Sequence, residues 1–300
     1  MLKTRRGRQV WLITQLAHAE LSGQMAAHWG AGDFACPGAF APSPDPVRLR
    51  HEVVLAIGEH DNGWWEWEAD PPLSASDGLP QGLSELVEDP VAGMERWRLG
   101  ISRLAVKHPY ASLLIADHAY WLYATQFGAD RRPELAHHLS RGRAFYPPAL
   151  APEAHRFLAE VRALQDEFCE RLLRASPGAE RDAEFWHTAL APEHRNPNIR
   201  LLQTLDALSL ALCSDFIAAG VGEAKGFGAD HVVFHDVPRR GWDDRVSVEI
   251  EPRGDGRIRM DPYPFDETPF RVSVPVRVVQ PHSWWRQTPS MLQTYTFQRD

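Results

Sequence analysis

The run Leu201-Leu202-Gln203-Thr204-Leu205-Asp206-Ala207-Leu208-Ser209-Leu210-Ala211-Leu212-Cys213 is close to hydrophobic all round, the pattern of a buried helix. Asp206 shares a stripe with Leu202, Ser209, Leu210 and Cys213, so its carboxylate is expected to point inward. A carboxylate taken out of water needs hydrogen-bond donors or a cation, because an unpaired buried charge is costly. His60 poses the same question. It follows Leu49, Val53 and Ala56 at helical spacing, and Asp61 comes next, about 100° further round the helix. Both side chains can reach one point beyond the helix end. His18 adjoins Leu21 and Met25 on an earlier stripe, and His118 adjoins Leu114, Trp121 and Leu122 on a third. A single inward histidine is ordinary core, but four helices each bringing an inward His or Asp would leave several polar groups unpaired unless those groups meet. Where they meet they make a metal site, with His18, His60, Asp61 and Asp206 as the expected ligands. Two imidazoles and two carboxylates suit a divalent transition ion (Mn, Fe, Co, Ni or Zn) better than Ca, which prefers oxygen. One ion rather than two is the expectation.

The elements that must position these groups are mostly helices. After a short strand-like segment, Gln9–Ile13, a helical pattern runs from Gln15 to Trp29 behind Thr14 as a plausible N-cap. A second runs from Val47 to Glu59 and is stopped by Asn62-Gly63. Periodicity resumes over Val91–Val106, Ala111–Phe127, Pro152–Ala175 and Ile199–Ala218, while residues 70 to 90, rich in Pro, Gly, Ser and Asp, form a long loop. Past the glycine-rich stretch Val221–Gly228 the period changes to two at Val246–Ile250, Arg257–Met260 and Val272–Val279. The expected fold class is mainly α: a helical bundle with a small C-terminal antiparallel β-sheet, which the N-terminal strand is a candidate to join. The expected division is residues 1–225, helical and metal-binding, and 226–300, β-rich.

Composition narrows the function classes. With 44% hydrophobic and 24% charged residues the chain has enough apolar side chains for a core. A net charge of -8 disfavours nucleic-acid and anionic-membrane partners, which need a basic face. The basic cluster Lys3, Arg5, Arg6 and Arg8 is short and fits a strand end better than a nucleic-acid patch. Cys36, Cys169 and Cys213 are far apart and form no CxxC pair, so a reducing compartment is expected. No stretch approaches the roughly 18 apolar residues of a membrane span, and the N-terminus lacks the apolar region of a signal peptide. The expected location is the cytoplasm, and the expected partner a small molecule.

In chain order, His18, His60-Asp61 followed by Asn62-Gly63, and Asp206 resemble the H…HD…D layout of the HD-domain superfamily of metal-dependent phosphohydrolases, over about residues 14 to 218. The strings Gln15–Gly23, His60–Trp64 and Leu202–Leu210 are also similar to an uncharacterised bacterial branch known as a domain of unknown function. The resemblance implies a metal site, with Asp61 orienting the attacking water or bridging to a second ion. His118 would ligate that second ion or donate to a substrate phosphate, which makes Asp61 and His118 the catalytic candidates. Two departures matter. Trp64 stands where many active HD hydrolases carry a Lys after the Gly, which removes a phosphate contact. The His-His pair that some two-metal members place late in the chain has a loose counterpart in His137-His138, which reads as an exposed helix end before Ser140-Arg141-Gly142-Arg143.

Three further features need a place. The cluster Trp64-Trp65-Glu66-Trp67 reads as a hinge packing the long loop or the C-terminal sheet on the helices, with Trp284-Trp285 as its partner; the sharper reading is a wall on which a substrate stacks. Glu66 and Glu68 read as solvated loop acids. His187 and His194 fall in a loop before the Asp206 helix and could overhang the site. The function expected from all this is hydrolysis of a small phosphorylated compound or nucleotide by metal-activated water. An iron oxygenase, kept open by His118, and a non-catalytic metal-binding module, kept open by the missing Lys, are the alternatives.

Overall fold

Thr14 caps the first helix as its sequence predicts: its hydroxyl accepts a hydrogen bond from Ala17 N at 3.0 Å. Asp45 and Asp89 do the same for two later helices, each followed by a proline at the first helical position, where the missing N–H costs nothing. The computed structural model describes residues 1–86, 89–127, 132–138, 146–174, 180–215, 226–282 and 290–299. Its helices are α1 (Gln15–Ala27), α2 (Pro46–Gly58), α3 (Trp65–Ala69), α4 (Leu83–Leu86), α5 (Pro90–Leu104), α6 (Pro109–Ala124), α7 (Ala151–Leu173), α8 (Glu180–Leu190) and α9 (Pro192–Cys213). The strands are β1 (Leu2–Arg6), β2 (Gln9–Ile13), β3 (Val232–Gly241), β4 (Asp244–Gly254), β5 (Arg257–Asp261), β6 (Phe270–Val279) and β7 (Ser290–Gln298). α6 is buried on nearly every side, and α9 is buried throughout from Pro197 to Cys213, which is why α9 reads as hydrophobic all round.

The sheet corrects the expected fold class. Instead of a small antiparallel C-terminal piece beside a helical bundle, the described residues form one seven-stranded sheet in the order β1-β2-β6-β7-β5-β4-β3. It is mixed, because β5 runs parallel to β7. Its two halves come from opposite ends of the chain: β2 pairs with β6 through Val10↔Val279, Trp11↔Val278 and Leu12↔Arg277. Three strands escaped the periodicity argument for identifiable reasons. In β3 the alternation breaks at a register shift between Phe234 and Val237, where Asp236 takes a φ of 57°. In β7 only Tyr295 and Phe297 carry the inward face, among Thr and Gln. β1 buries Leu2 and Thr4 while its last two residues, Arg5 and Arg6, are exposed.

The sheet packs against α1 through β6 and against α9 through β3, and one continuous apolar core runs from Leu21 and Leu205 to Val274 and Tyr295. The Tyr295 hydroxyl donates to Leu212 O at the end of α9. The long loop is tied to β1 by Lys3, whose ammonium lies 3.2 Å from Asp77 and 3.0 Å from Glu85. The expected division at 225/226 falls at residues 216–225, outside the described residues.

Candidate metal centre

α2 ends two residues before His60, and the backbone there decides how that imidazole works. His60 Nδ1 donates to Ile57 O at 2.7 Å. A carbonyl only accepts, so the ring hydrogen sits on Nδ1, and Nε2 turns its lone pair toward Asp206 Oδ1 at 3.3 Å. His18, in the second turn of α1, is held the same way. The Ser209 hydroxyl spends its hydrogen on Asp206 O at 2.8 Å, so its oxygen accepts from His18 Nδ1 at 2.8 Å. His18 Nε2 then faces Asp61 Oδ2 at 2.7 Å. In each case an imidazole nitrogen without its own hydrogen would meet a carboxylate oxygen, lone pair to lone pair. Only a cation between them, a proton or a metal ion, makes that arrangement favourable.

Asp206 is where the groups converge. Its Oδ1 faces His60 and, at 3.8 Å, His18 Nδ1. Its Oδ2 lies 3.5 Å from His118 Nε2 and 3.1 Å from His137 Nε2. The four rings form a row with centroid separations of 5.2 Å (His18–His60), 5.3 Å (His60–His118) and 5.1 Å (His118–His137). All four are at most 1% exposed. Two sets of three ligand atoms, His18/His60/Asp206 and His118/His137/Asp206, each lie within 4.8 Å of one another. Ligands opposite each other across an ion with bonds of about 2.1 Å are separated by about 4.2 Å, so either set can hold a metal ion with small adjustments. The donor chemistry fits as well: neutral imidazoles with Asp206 and Asp61 supply the negative charge that a divalent ion balances.

Of the residues singled out in the sequence, His18, His60, Asp206 and His118 lie together in the structure. Asp61 joins through His18 and belongs to neither three-ligand set. His137 is fully buried and is not the exposed helix end that its neighbours in sequence suggest. Among its described residues, 132–138, the segment has a single 3-10 turn, Pro133–Leu135, and no longer helix whose phase could be read. α9 fixes that segment from below. Arg200 Nη1 donates to Ala136 O at 2.9 Å, Gln203 Nε2 donates to Leu135 O at 3.0 Å, and His138 Nε2 donates to Thr204 Oγ1 at 3.0 Å. The helix that carries Asp206 thus also places His137. The adjacent pair His137-His138 was the available signal.

Electrostatics divide the histidines. Burial opposes charge on His60, but Asp206, and then Asp61, outweigh it and hold the pKa at about 9. For His118 burial wins, helped by the neighbouring histidines, and the ring is pushed well below its ordinary value despite Asp206. Burial works against the Asp206 carboxylate, yet His137 and His60, donating to it when their rings are protonated, keep its pKa well below the usual range.

The other candidates lie elsewhere. His187 is exposed on α8, and His194 sits inside α9 rather than in a loop, its Nε2 donating to Pro42 O at 3.1 Å. Glu66 is an exposed acid paired with Arg103 at 2.8 Å. Glu68 is not a solvated loop acid: it is buried, its Oε1 accepts from Gln15 N at 2.7 Å, and burial raises its carboxyl pKa. Trp64 and Trp67 stand edge to face at 5.4 Å, and Trp67 packs on Met1, Val10, Leu12, Leu79 and Val279, which is hinge packing between helix and sheet. Trp284-Trp285 lies outside the described residues.

A family match spans residues 1–281. The chain belongs to DUF3891, described as a protein of unknown function. No curated protein matches the chain, and no solved structure does. Among the described residues of this DUF3891 member, no helix is long and apolar enough to cross a membrane.

Proposed function

We propose that this protein is a divalent-metal-dependent hydrolase acting on a small phosphorylated compound. The observation that carries the reading is Asp206, one buried carboxylate facing four buried imidazoles, two of which have their ring hydrogens committed elsewhere. The ligand order His18, His60-Asp61, Asp206 supports an HD-type site; the likeness concerns the site and not the surrounding fold. A bound divalent ion supplies a Lewis acid for a phosphoryl oxygen and lowers the pKa of a water. The chain's residues do the rest. Asp61, anchored to His18 by one oxygen, uses the other to orient the attacking water and accept its proton. His118, kept neutral by burial, donates an N–H hydrogen bond that steadies the charge on the leaving oxygen, and the proton accepted by Asp61 passes on to that oxygen. The surrounding core keeps bulk water away from both transfers.

A second reading, a two-iron oxygenase, is favoured by one observation: Asp206 is shared between two three-ligand sets. One assay separates the two. Metal-loaded protein is offered a panel of phosphorylated metabolites with and without oxygen, beside Asp61→Asn. Oxygen-independent phosphate release that falls by roughly 10²–10⁴ in Asp61→Asn is expected. Turnover that requires oxygen would overturn the hydrolase in favour of the oxygenase, and no turnover on any substrate would overturn both.

A further inference from the structure

Arg96 is a buried cation that forms no ion pair among the described residues. It is 9% exposed, and its Nε, shut off from solvent, reaches no acceptor among them. Its guanidinium plane lies over Trp64, 4.0 Å from the ring centroid, and 5.7 Å from that of Trp67. Stacking satisfies the faces of a guanidinium and leaves its N–H edge open, and that edge has the geometry for a planar or tetrahedral oxyanion. Buried arginines are otherwise paired, because leaving the charge uncompensated is costly.

Position ties Arg96 to the metal centre. Gly63, two residues after Asp61, lies against α5 so closely that a Cβ there would come 2.0 Å from Arg96 O. The next residue, Trp97, packs its ring 5.3 Å from that of His118. This turn of α5 therefore touches the cluster on both sides, at the His60-Asp61 corner and at His118; burial disfavours the Arg96 charge, and Tyr123, Asp89 and then Asp61 favour it.

We propose that Arg96 binds the anionic group of the substrate, a phosphoryl oxyanion held edge-on by its guanidinium between the Trp64 ring and Asp61. The identity of the oxyanion rests on the hydrolase reading above, whereas the binding of an anion at Arg96 does not. In the alternative, Arg96 is only a clasp holding Trp64 and Trp67 together; a clasp uses the faces of the guanidinium and gains nothing from an anion.

The test is calorimetric titration of the full chain with inorganic phosphate, metal-loaded and after chelator treatment, for wild type, R96K and R96M, with metal content counted in each. R96M keeps most of the aliphatic contact with the tryptophans and removes the charge. Phosphate should bind wild type, with Kd raised at least about tenfold in R96M and by less in R96K, at unchanged metal content. Equal phosphate binding by R96M and wild type, or none by wild type, overturns the proposal. Malonate binding more tightly than phosphate overturns the phosphoryl assignment. Arg96-dependent phosphate binding in a protein that never takes up metal would sink the hydrolase reading while Arg96 stands. Should R96M fail to fold, wild-type crystals soaked in selenate decide: an anomalous peak on the Arg96 N–H edge is expected, and its absence there overturns the proposal.

Discussion

His137 Nε2 stands 3.1 Å from Asp206 Oδ2, on the opposite oxygen from the one that faces His60. One carboxylate therefore serves two sets of histidines, and the sets are not equally prepared. His18 and His60 each have Nδ1 held by an acceptor, Ser209 and Ile57, whereas His118 Nδ1 meets none among the described residues. Acceptors of this kind fix a ligand's tautomer and orientation and are worth roughly 10–100-fold in metal affinity. The His18/His60/Asp206 set should fill first. His60→Ala is expected to lose the tightly held ion, and His137→Ala to retain it. Metal titrations of the two variants check this, and equal loss from both would contradict the ranking.

The metal-free protein should show a definite pH dependence. The folded-state pKa of His60 is raised from 6.5 to about 9, so its protonated form stabilises the fold. That contribution is complete below about pH 6.5 and is lost as pH rises through about 9. A metal ion must displace this proton, so uptake near pH 7 should release it, and affinity should climb with pH until about 9. Metal titration in weakly buffered indicator dye measures the release. Uptake without proton release, at an affinity independent of pH, would contradict the account.

Gly63 is a packing requirement. A Cβ there would meet Arg96 O at 2.0 Å and Gly100 N at 2.9 Å, both backbone atoms that cannot swing aside. Gly63→Ala should cost stability at or beyond the upper end of the about 1–3 kcal/mol typical of overpacking. It should also weaken phosphate binding by shifting α5. Thermal denaturation tests the first part; an unchanged melting temperature would show that α5 yields freely at this contact.

What was legible in the sequence depended on helical phase. Asp206, His60, His18 and His118 lie on α-helical stripes or directly at a helix end, where inward direction follows from neighbours three and four residues away. His137 lies on a segment with no such phase, and its position is set by Arg200 and Gln203, whose contacts cross more than sixty residues of chain. Arg96 was equally hidden, since an arginine on an amphipathic helix reads as solvated until its tryptophan partners are known. The sheet was read only in part. The clean alternation of β4, β5 and β6 was visible, but the bulge in β3 and the Thr- and Gln-rich β7 were not, and no local pattern announces that β2 will pair with a strand some 270 residues later.

Metal content tests the central claim most directly. Protein purified without chelator should carry at least one transition-metal ion per chain by elemental analysis. Asp206→Asn keeps the shape of the side chain and removes its charge, so it should fold and lose that ion. A metal-free wild type that takes up no divalent ion on titration, or an Asp206→Asn protein with full metal content, would contradict the assignment of these histidines and Asp206 as a metal centre.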